Sequence, residues 1–226
     1  MGFIKSLTRV TTPLVAFGLG FAFYPKDFRK GNLADRKLTH INQSVLEQIE
    51  KSKEYQALLT EGNSKQYYGS HAFPEQHMKN YVGSGLLFGP NLFEIDPILF
   101  LNEEKGTLTG FYHLGDQLIS QDGEIHNGVV STILDEGLCS CGFPQLPSKK
   151  GVTAKLSINF QNQAPPNSTV VLKAHISESK GRKVVIDGTL ETLPLREGDK
   201  PLVIADSKCI LVEPKWFKYF SWAQVF

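Results

Sequence analysis

Two adjacent carboxylates lie inside the most apolar helical segment of the chain. Residues 126–137 read HNGVVSTILDEG and include Asp135 and Glu136. A carboxylate in the middle of an apolar helix is costly unless it is paired or used in chemistry. On a helical wheel Asp135 has small and apolar neighbours, whereas Glu136 lies between Thr132 and Ser140. We therefore expect a raised pKa at Asp135, which suits a general base. The alternative is that Asp135 only hydrogen-bonds a neighbouring strand or a dimer partner.

The start of this helix could bind a negatively charged oxygen. The backbone N–H groups of Asn127 and Gly128 lack partners within the helix and lie at the positive end of its dipole. Such groups can hold a developing oxyanion, and glycine lets a ligand approach the backbone closely. The alternative is that Asn127 is an N-cap and Gly128 a turn residue. His126 could act as a base, but we expect it to be a hydrogen-bonded positioning residue.

The composition gives no indication of nucleic-acid or metal binding. The chain has 24 Lys and Arg against 23 Asp and Glu, and basic residues do not alternate with aromatic ones. Cys139, Cys141 and Cys209 lack the usual spacing of zinc or redox motifs. We expect three reduced, structural thiols, no metal and no bound cofactor.

Residues 1–26 differ from the rest of the chain. They contain three basic residues and no acid, and residues 10–24 carry no charge. This composition is typical of a mitochondrial address whose apolar run anchors the protein in a membrane. A secretory signal, a myristoylated Gly2 and a helix packed on the domain are alternatives. We predict a mitochondrial, membrane-associated protein.

Hydrophobic periodicity predicts the elements that position the helix. Residues 27–84 are interpreted as a polar linker, an amphipathic helix at 38–60 and an irregular stretch from 63. Residues 85–226 form the main domain, where apolar residues alternate with polar ones in several segments. A single helix as apolar as the one at 128–142 must be covered on most sides. We therefore predict an antiparallel sheet wrapped around this helix, which is an α+β fold. The alternating segments lie near residues 107–114, 154–160, 170–176, 184–190 and 202–212.

Two features refine this picture. In the strand at 154–160, alternation places Ala154 and Leu156 on one face and Lys155 on the other. The aromatic segment at 216–222 predicts a packed or dimer-facing helix, with a membrane-interface element as the alternative.

The sequence resembles the hotdog-fold acyl-CoA thioesterases. The segments that carry the resemblance are HNGVVSTILDEGL, GVTA and GRK, within about residues 80–212. They are most similar to the phenylacetate-pathway type and its eukaryotic relatives, including fungal mitochondrial members. The family's His-Gly-Gly, with an acid nine residues after the histidine, corresponds to His126, Asn127, Gly128 and Asp135. Asn127 replaces the first glycine, and Ser120 stands where relatives often have an asparagine that orients the base.

The resemblance implies hydrolysis of a fatty acyl-CoA by a homodimer or a dimer of dimers. Asp135 would act as a general base that activates water, with a role as the nucleophile as the alternative. The N–H groups of Asn127 and Gly128 would bind the thioester carbonyl, and Thr153 from the other subunit would position the water or the carboxylate. Coenzyme A enters only as part of the substrate. Its phosphates would contact four basic residues that could equally be ordinary solvated charges: Lys149, Lys150, Arg182 and Lys183.

Two other functions are compatible with the sequence. A non-catalytic hotdog protein that binds acyl chains, or that scaffolds a mitochondrial membrane complex, would explain Asn127 and the apolar N-terminal segment. A hotdog dehydratase would pair a strand histidine, such as His113, with a helix acid. The glycine–proline motif that such enzymes have before the helix is absent.

Overall fold

Alternating apolar residues build one antiparallel sheet whose strands follow the order β1-β2-β3-β5-β6-β7-β4. The computed structural model describes residues 12–13, 15–17, 42–72, 81–194 and 199–217. Strand bounds are β1 Lys65–Tyr68, β2 Ile98–Asn102, β3 Thr107–Leu114, β4 Val152–Phe160, β5 Ser168–Lys180, β6 Lys183–Thr192 and β7 Val203–Val212. Helix bounds are α1 Gln43–Lys51, α2 Lys53–Thr60 and α3 Asn127–Gly142, and a single π-helical turn spans Val82–Leu86.

Helix α3 packs against one face of this sheet, so the predicted α+β hotdog fold is confirmed. Its apolar side, which includes Ile133, Leu134 and Leu138, is fully buried in the main core. Close packing depends on Gly137, because a Cβ there would lie 2.1 Å from a methyl carbon of Leu172 on β5. The helix is therefore held tightly on the sheet, and its outward side carries Asp135 and Glu136.

The opposite face of the sheet is covered by α1 and α2 over a second apolar cluster. The sequence predicted one continuous helix at residues 38–60, and the structure instead breaks it at Ser52. The Ser52 hydroxyl donates to the Ile49 carbonyl at 2.6 Å and accepts from the Tyr55 N–H at 3.2 Å. One side chain thus ends the first helix and caps the second, because serine competes for backbone hydrogen bonds.

Strand β1 also departs from the sequence analysis, which described residues 63–84 as irregular. It pairs with β2 and forms one edge of the sheet, while β4 forms the other. The β4 edge exposes apolar side chains, with Val152 46% and Phe160 41% exposed.

Much of the predicted targeting segment lies outside the described residues. Residues 12–13 and 15–17 are helical and exposed, and they belong to a unit of the chain separate from the one that begins at residue 38. Among the described residues, no helix combines the length and apolar character needed to cross a membrane. The domain bounds at 26 and 84 remain predictions, and the aromatic segment is described only as far as Phe217.

Candidate active site

Asp135 is held by a hydroxyl of the neighbouring edge strand. The Thr153 hydroxyl donates to one carboxylate oxygen of Asp135 at 2.8 Å, and Cys139 Sγ lies 3.2 Å from the same hydroxyl. Asp135 is half-buried, and within the described part of the chain no cation pairs with it and no group donates to its second oxygen. The carboxylate is therefore oriented on one side and available on the other.

A β-bulge brings Thr153 to this position. Thr153 pairs with Leu211 of β7 and Lys155 pairs with Ile210, so Ala154 is an extra residue in β4. Simple alternation would have placed Thr153 on the outer face with Lys155, whereas the extra residue turns it toward α3. The resemblance implied that Thr153 would reach the carboxylate from a partner subunit. That expectation is corrected, because the contact forms within one chain.

The start of α3 presents one backbone donor. His126 is the N-cap, and its Nδ1 accepts from the Gly128 N–H at 2.9 Å. Gly128 is therefore not an available oxyanion donor, contrary to the sequence analysis, and Asn127 is the first helical residue instead of the cap. The Asn127 N–H has no hydrogen-bond partner among the described residues, and this residue is exposed. The oxyanion donor that the geometry supports is the backbone N–H of Asn127.

Glu136 is bound by a segment that sequence analysis did not connect with the helix. The Gly83 N–H donates to its carboxylate at 3.0 Å, and the Tyr81 hydroxyl donates to it as well. The expected polar neighbours do not solvate it, since the hydroxyls of Thr132 and Ser140 donate to backbone carbonyls one turn earlier. Burial raises the pKa of Glu136 to about 7, although both hydrogen bonds oppose this change. No local signal could have identified Tyr81 and Gly83 as its partners.

Asn127 and Asp135 of one chain do not converge on a common point. They are eight residues apart on α3, which corresponds to about 12 Å along the helix axis. The free N–H at a helix start points away from the helix body, so a carbonyl bound there lies farther still from Asp135. Within one chain, these two groups therefore cannot contact the same carbonyl group.

The chain is similar to several known proteins. A sequence model of the thioesterase superfamily matches residues 122–198, which contain α3, Asp135 and Thr153. The chain is 69% identical to a mitochondrial protein of Candida albicans, over 98% of this chain and 99% of that protein. It is 44% identical to MIOREX complex component 3 of Saccharomyces cerevisiae, over 80% of this chain and 75% of that protein. The chain belongs to the thioesterase superfamily. Acyl-coenzyme A thioesterase THEM4 of Rattus norvegicus is 26% identical over 42% of this chain and 40% of its own length.

The four basic residues predicted for this thioesterase-superfamily chain are divided by the structure. Val152 and Lys183 both pair with Val212, so the starts of β4 and β6 lie at the same end of the sheet. Arg182 donates to the Glu213 carbonyl at 2.7 Å, and Lys183 lies 3.4 Å from Glu178. Lys150 is exposed beside the start of β4.

Lys149 lies next to helix α3. It lines a cavity of about 500 Å³ with Lys65, Tyr67 and Ser140. This cavity lies on the flank of α3 that carries Ser140, whereas Thr153 contacts the flank with Asp135 and Cys139. Of the four residues, Lys149 is the one that lines this cavity.

Other candidate groups lie away from Asp135. His113 is buried on the face of the sheet opposite α3, with Nδ1 3.1 Å from the Thr169 hydroxyl and Nε2 3.5 Å from Glu94. It cannot pair with Asp135, because the sheet separates the two side chains. The dehydratase hypothesis required such a pair, so His113 does not support it. The Ser120 hydroxyl donates to Asp122 within its own turn.

The three cysteines are free and buried in the described structure, as expected. The hydrogen bond that the Cys139 thiol donates to Cys209 raises the pKa of Cys139, and burial raises it further, so the sulfur beside Thr153 stays neutral. No group of three potential metal ligands occurs in the described part of the chain.

Proposed function

We propose that this protein hydrolyses a fatty acyl-CoA to the free acid and coenzyme A, with Asp135 as the general base. The observation that carries the proposal is the Thr153–Asp135 hydrogen bond, which fixes one carboxylate oxygen and leaves the other without a donor from the described residues. That oxygen can accept a proton from water while the water attacks the thioester carbonyl. When the C–S bond breaks, the thiolate of coenzyme A leaves and takes up the proton from Asp135. Membership of the thioesterase superfamily and the similarity to THEM4 support this chemistry.

The backbone N–H of Asn127 is the proposed donor to the carbonyl oxygen. Replacement of the family's glycine by Asn127 leaves this donor in place, because the N–H belongs to the main chain. The donor lies at the positive end of α3, where a developing negative charge is stabilised.

The proposed site requires two copies of the chain. Because Asp135 and Asn127 of one helix cannot reach the same carbonyl, the base of one copy would meet the oxyanion donor of the other. The exposed apolar edge of β4 is a surface along which a second copy can pair. We place the phosphates of coenzyme A near Lys150, Arg182 and Lys183, which lie at the Thr153 end of β4 and β6.

Replacement of the base gives the first experiment. Purified full-length protein and its Asp135→Asn variant are compared for hydrolysis of acyl-CoAs of graded chain length. The amide can still accept from Thr153 but cannot take a proton, so we expect the rate to fall by about 10²- to 10⁴-fold. Asp116→Asn, at an exposed carboxylate, is the matched control. Equal rates for the native protein and Asp135→Asn would contradict the proposal.

The two-copy arrangement is tested by complementation. Asn127→Pro removes the N–H but suits the first position of a helix, so α3 should persist. Each single variant should be inactive. When both variants are co-expressed, half of the dimers contain one copy of each variant and one intact site out of two, which restores roughly a quarter of native activity. If the base and the donor acted within one chain, mixing would restore none.

A second candidate function is a non-catalytic component of a larger assembly. The observation that favours it is the similarity to MIOREX complex component 3. Under this hypothesis neither the native protein nor Asp135→Asn hydrolyses any acyl-CoA in the chain-length series, while the native protein co-purifies with other proteins at constant stoichiometry.

We propose that residues 1–26 direct the protein to mitochondria and attach it to a membrane. The mitochondrial relative of Candida albicans supports the destination. Fusion of these residues to a soluble fluorescent protein should deliver it to mitochondria, and the full-length protein should remain in the membrane pellet after alkaline carbonate extraction. A fusion protein that stays in the cytosol would contradict the mitochondrial targeting. A full-length protein that is completely extracted by carbonate would contradict the membrane attachment.

A further inference from the structure

A short turn is fastened to the outward face of α3 through the carboxylate next to the base. Residues 81–87, named here the tethered turn, contribute two donors to Glu136, the Tyr81 hydroxyl and the Gly83 N–H. Asp135 is thus fixed on one flank by Thr153, and Glu136 is fixed on the other flank by the turn.

The contact between Glu136 and the tethered turn leaves no spare space. A Cβ at Gly83 would lie 2.2 Å from Glu136 Oε2, which is far inside normal contact. The turn is π-helical, and the Leu87 N–H donates to the Val82 carbonyl at 2.8 Å. Single π-helical turns are rare in proteins, and those that occur often lie at functional sites. On its far side Leu87 packs on the main core, so the turn is held at both ends.

The outward surface of the tethered turn is apolar. Val82 is 43% exposed and Leu86 61% exposed. Asp135 and Glu136 are consecutive residues, so their Cα atoms are about 3.8 Å apart, and the Gly83 nitrogen is 3.0 Å from the Glu136 carboxylate. A hydrocarbon chain attached to a carbonyl at Asp135 therefore meets Val82 and Leu86 if it extends over Glu136.

We propose that the tethered turn is a wall of the acyl-binding site and that Glu136 is the positioning residue that fixes it. This inference rests on the proposed function, because it assumes that the thioester lies at Asp135. It assigns Glu136 no contact with the reacting atoms. The expected ligand group is a medium or long alkyl chain, which reaches Val82 and Leu86, whereas an acetyl group does not.

The test compares decanoyl-CoA with acetyl-CoA. Glu136→Ala removes the acceptor of two hydrogen bonds, and we expect the ratio of kcat/KM for decanoyl-CoA over acetyl-CoA to fall by about tenfold, mainly through KM. Glu136→Gln keeps an oxygen that accepts from Gly83 and should retain the native ratio. Thr132→Ala is the matched control, since among the described residues the hydrogen bond of its hydroxyl goes to the Gly128 carbonyl one turn away.

Two further measurements keep the test decisive. Leu86→Ser changes an exposed residue and should fold even if Glu136→Ala does not, and we expect it to lower the same ratio. Binding of a non-hydrolysable decanoyl-CoA thioether is measured by calorimetry for every variant. One outcome separates the two proposals: the native protein shows no hydrolysis, and the Glu136→Ala variant binds the thioether about tenfold more weakly. In that case the proposed function is wrong, and the role of the tethered turn as a wall of the acyl-binding site is supported. If Leu86→Ser keeps the native ratio and binds the thioether normally, or if Glu136→Gln loses as much as Glu136→Ala, the wall is refuted.

Discussion

The raised pKa of Glu136 makes the stability of the fold depend on pH. Burial raises this pKa from its ordinary value of 4.5 to about 7, so the folded protein holds the proton more tightly than the unfolded chain. The stabilisation from the protonated carboxyl is complete below pH 4.5 and is lost as the pH rises through about 7. The separation of the two pKa values corresponds to about 3 kcal/mol in the free energy of unfolding. Asp135, Tyr81 and Tyr112 are the titratable groups that act on Glu136 in the described structure.

Glu136→Gln should remove this dependence. Urea unfolding at several pH values between 4.5 and 8 gives the free energy of unfolding of both proteins. The difference between the variant and the native protein should grow by up to about 3 kcal/mol in favour of the variant across this range. Glu104→Gln, at an exposed carboxylate in the loop between β2 and β3, is the control and should follow the native curve. A difference between Glu136→Gln and the native protein that stays constant with pH would refute the argument that burial governs this carboxyl.

Three further predictions concern single side chains that make hydrogen bonds. Thr153→Val removes the donor to Asp135 and should lower kcat by about ten- to a hundredfold, whereas Thr153→Ser should keep most of the activity. His126→Ala removes the N-cap of α3 and should cost about 1 kcal/mol in urea unfolding, and an unchanged midpoint would show that the cap contributes nothing. Ser52→Ala removes both contacts at the break between α1 and α2 and should cost about 1 to 2 kcal/mol by the same assay; a more stable variant would mean that the two helices prefer to be continuous.

The sequence was sufficient for elements that local patterns specify. Helix α3 has glycine at its start and a continuous apolar surface, so its predicted range of 128–142 differs from Asn127–Gly142 by one residue. The strands after it are marked by alternation and by turn residues between them, and their positions are confirmed, although the bulge at Ala154 interrupts the alternation of β4. In each case the residues that determine the element are contained within it.

The parts that the sequence did not reveal depend on single side chains or on distant partners. The break at Ser52 interrupts an otherwise helical pattern through one hydroxyl. Strand β1 has only four residues, and its pairing with β2 supplies the order that its own sequence lacks. The contact of Glu136 with Gly83 joins residues 53 positions apart, so a helical wheel could not show it. Thr153 was identified through the resemblance. Its contact with Asp135 of the same chain depends on the bulge in β4, which the sequence did not predict.

The extra residue in β4 makes the orientation of Thr153 a question of chain length as well as chemistry. Ala154 is exposed, so many side chains should be tolerated at that position. Loss of the residue itself would leave Thr153 directly before Lys155 with the same partners on β7, Leu211 and Ile210, so regular alternation would still turn the hydroxyl toward α3. A deletion of one codon here should therefore preserve the contact with Asp135. Any search for active relatives should accept one residue between the threonine and the next core position of this strand, or two residues where the strand has a bulge.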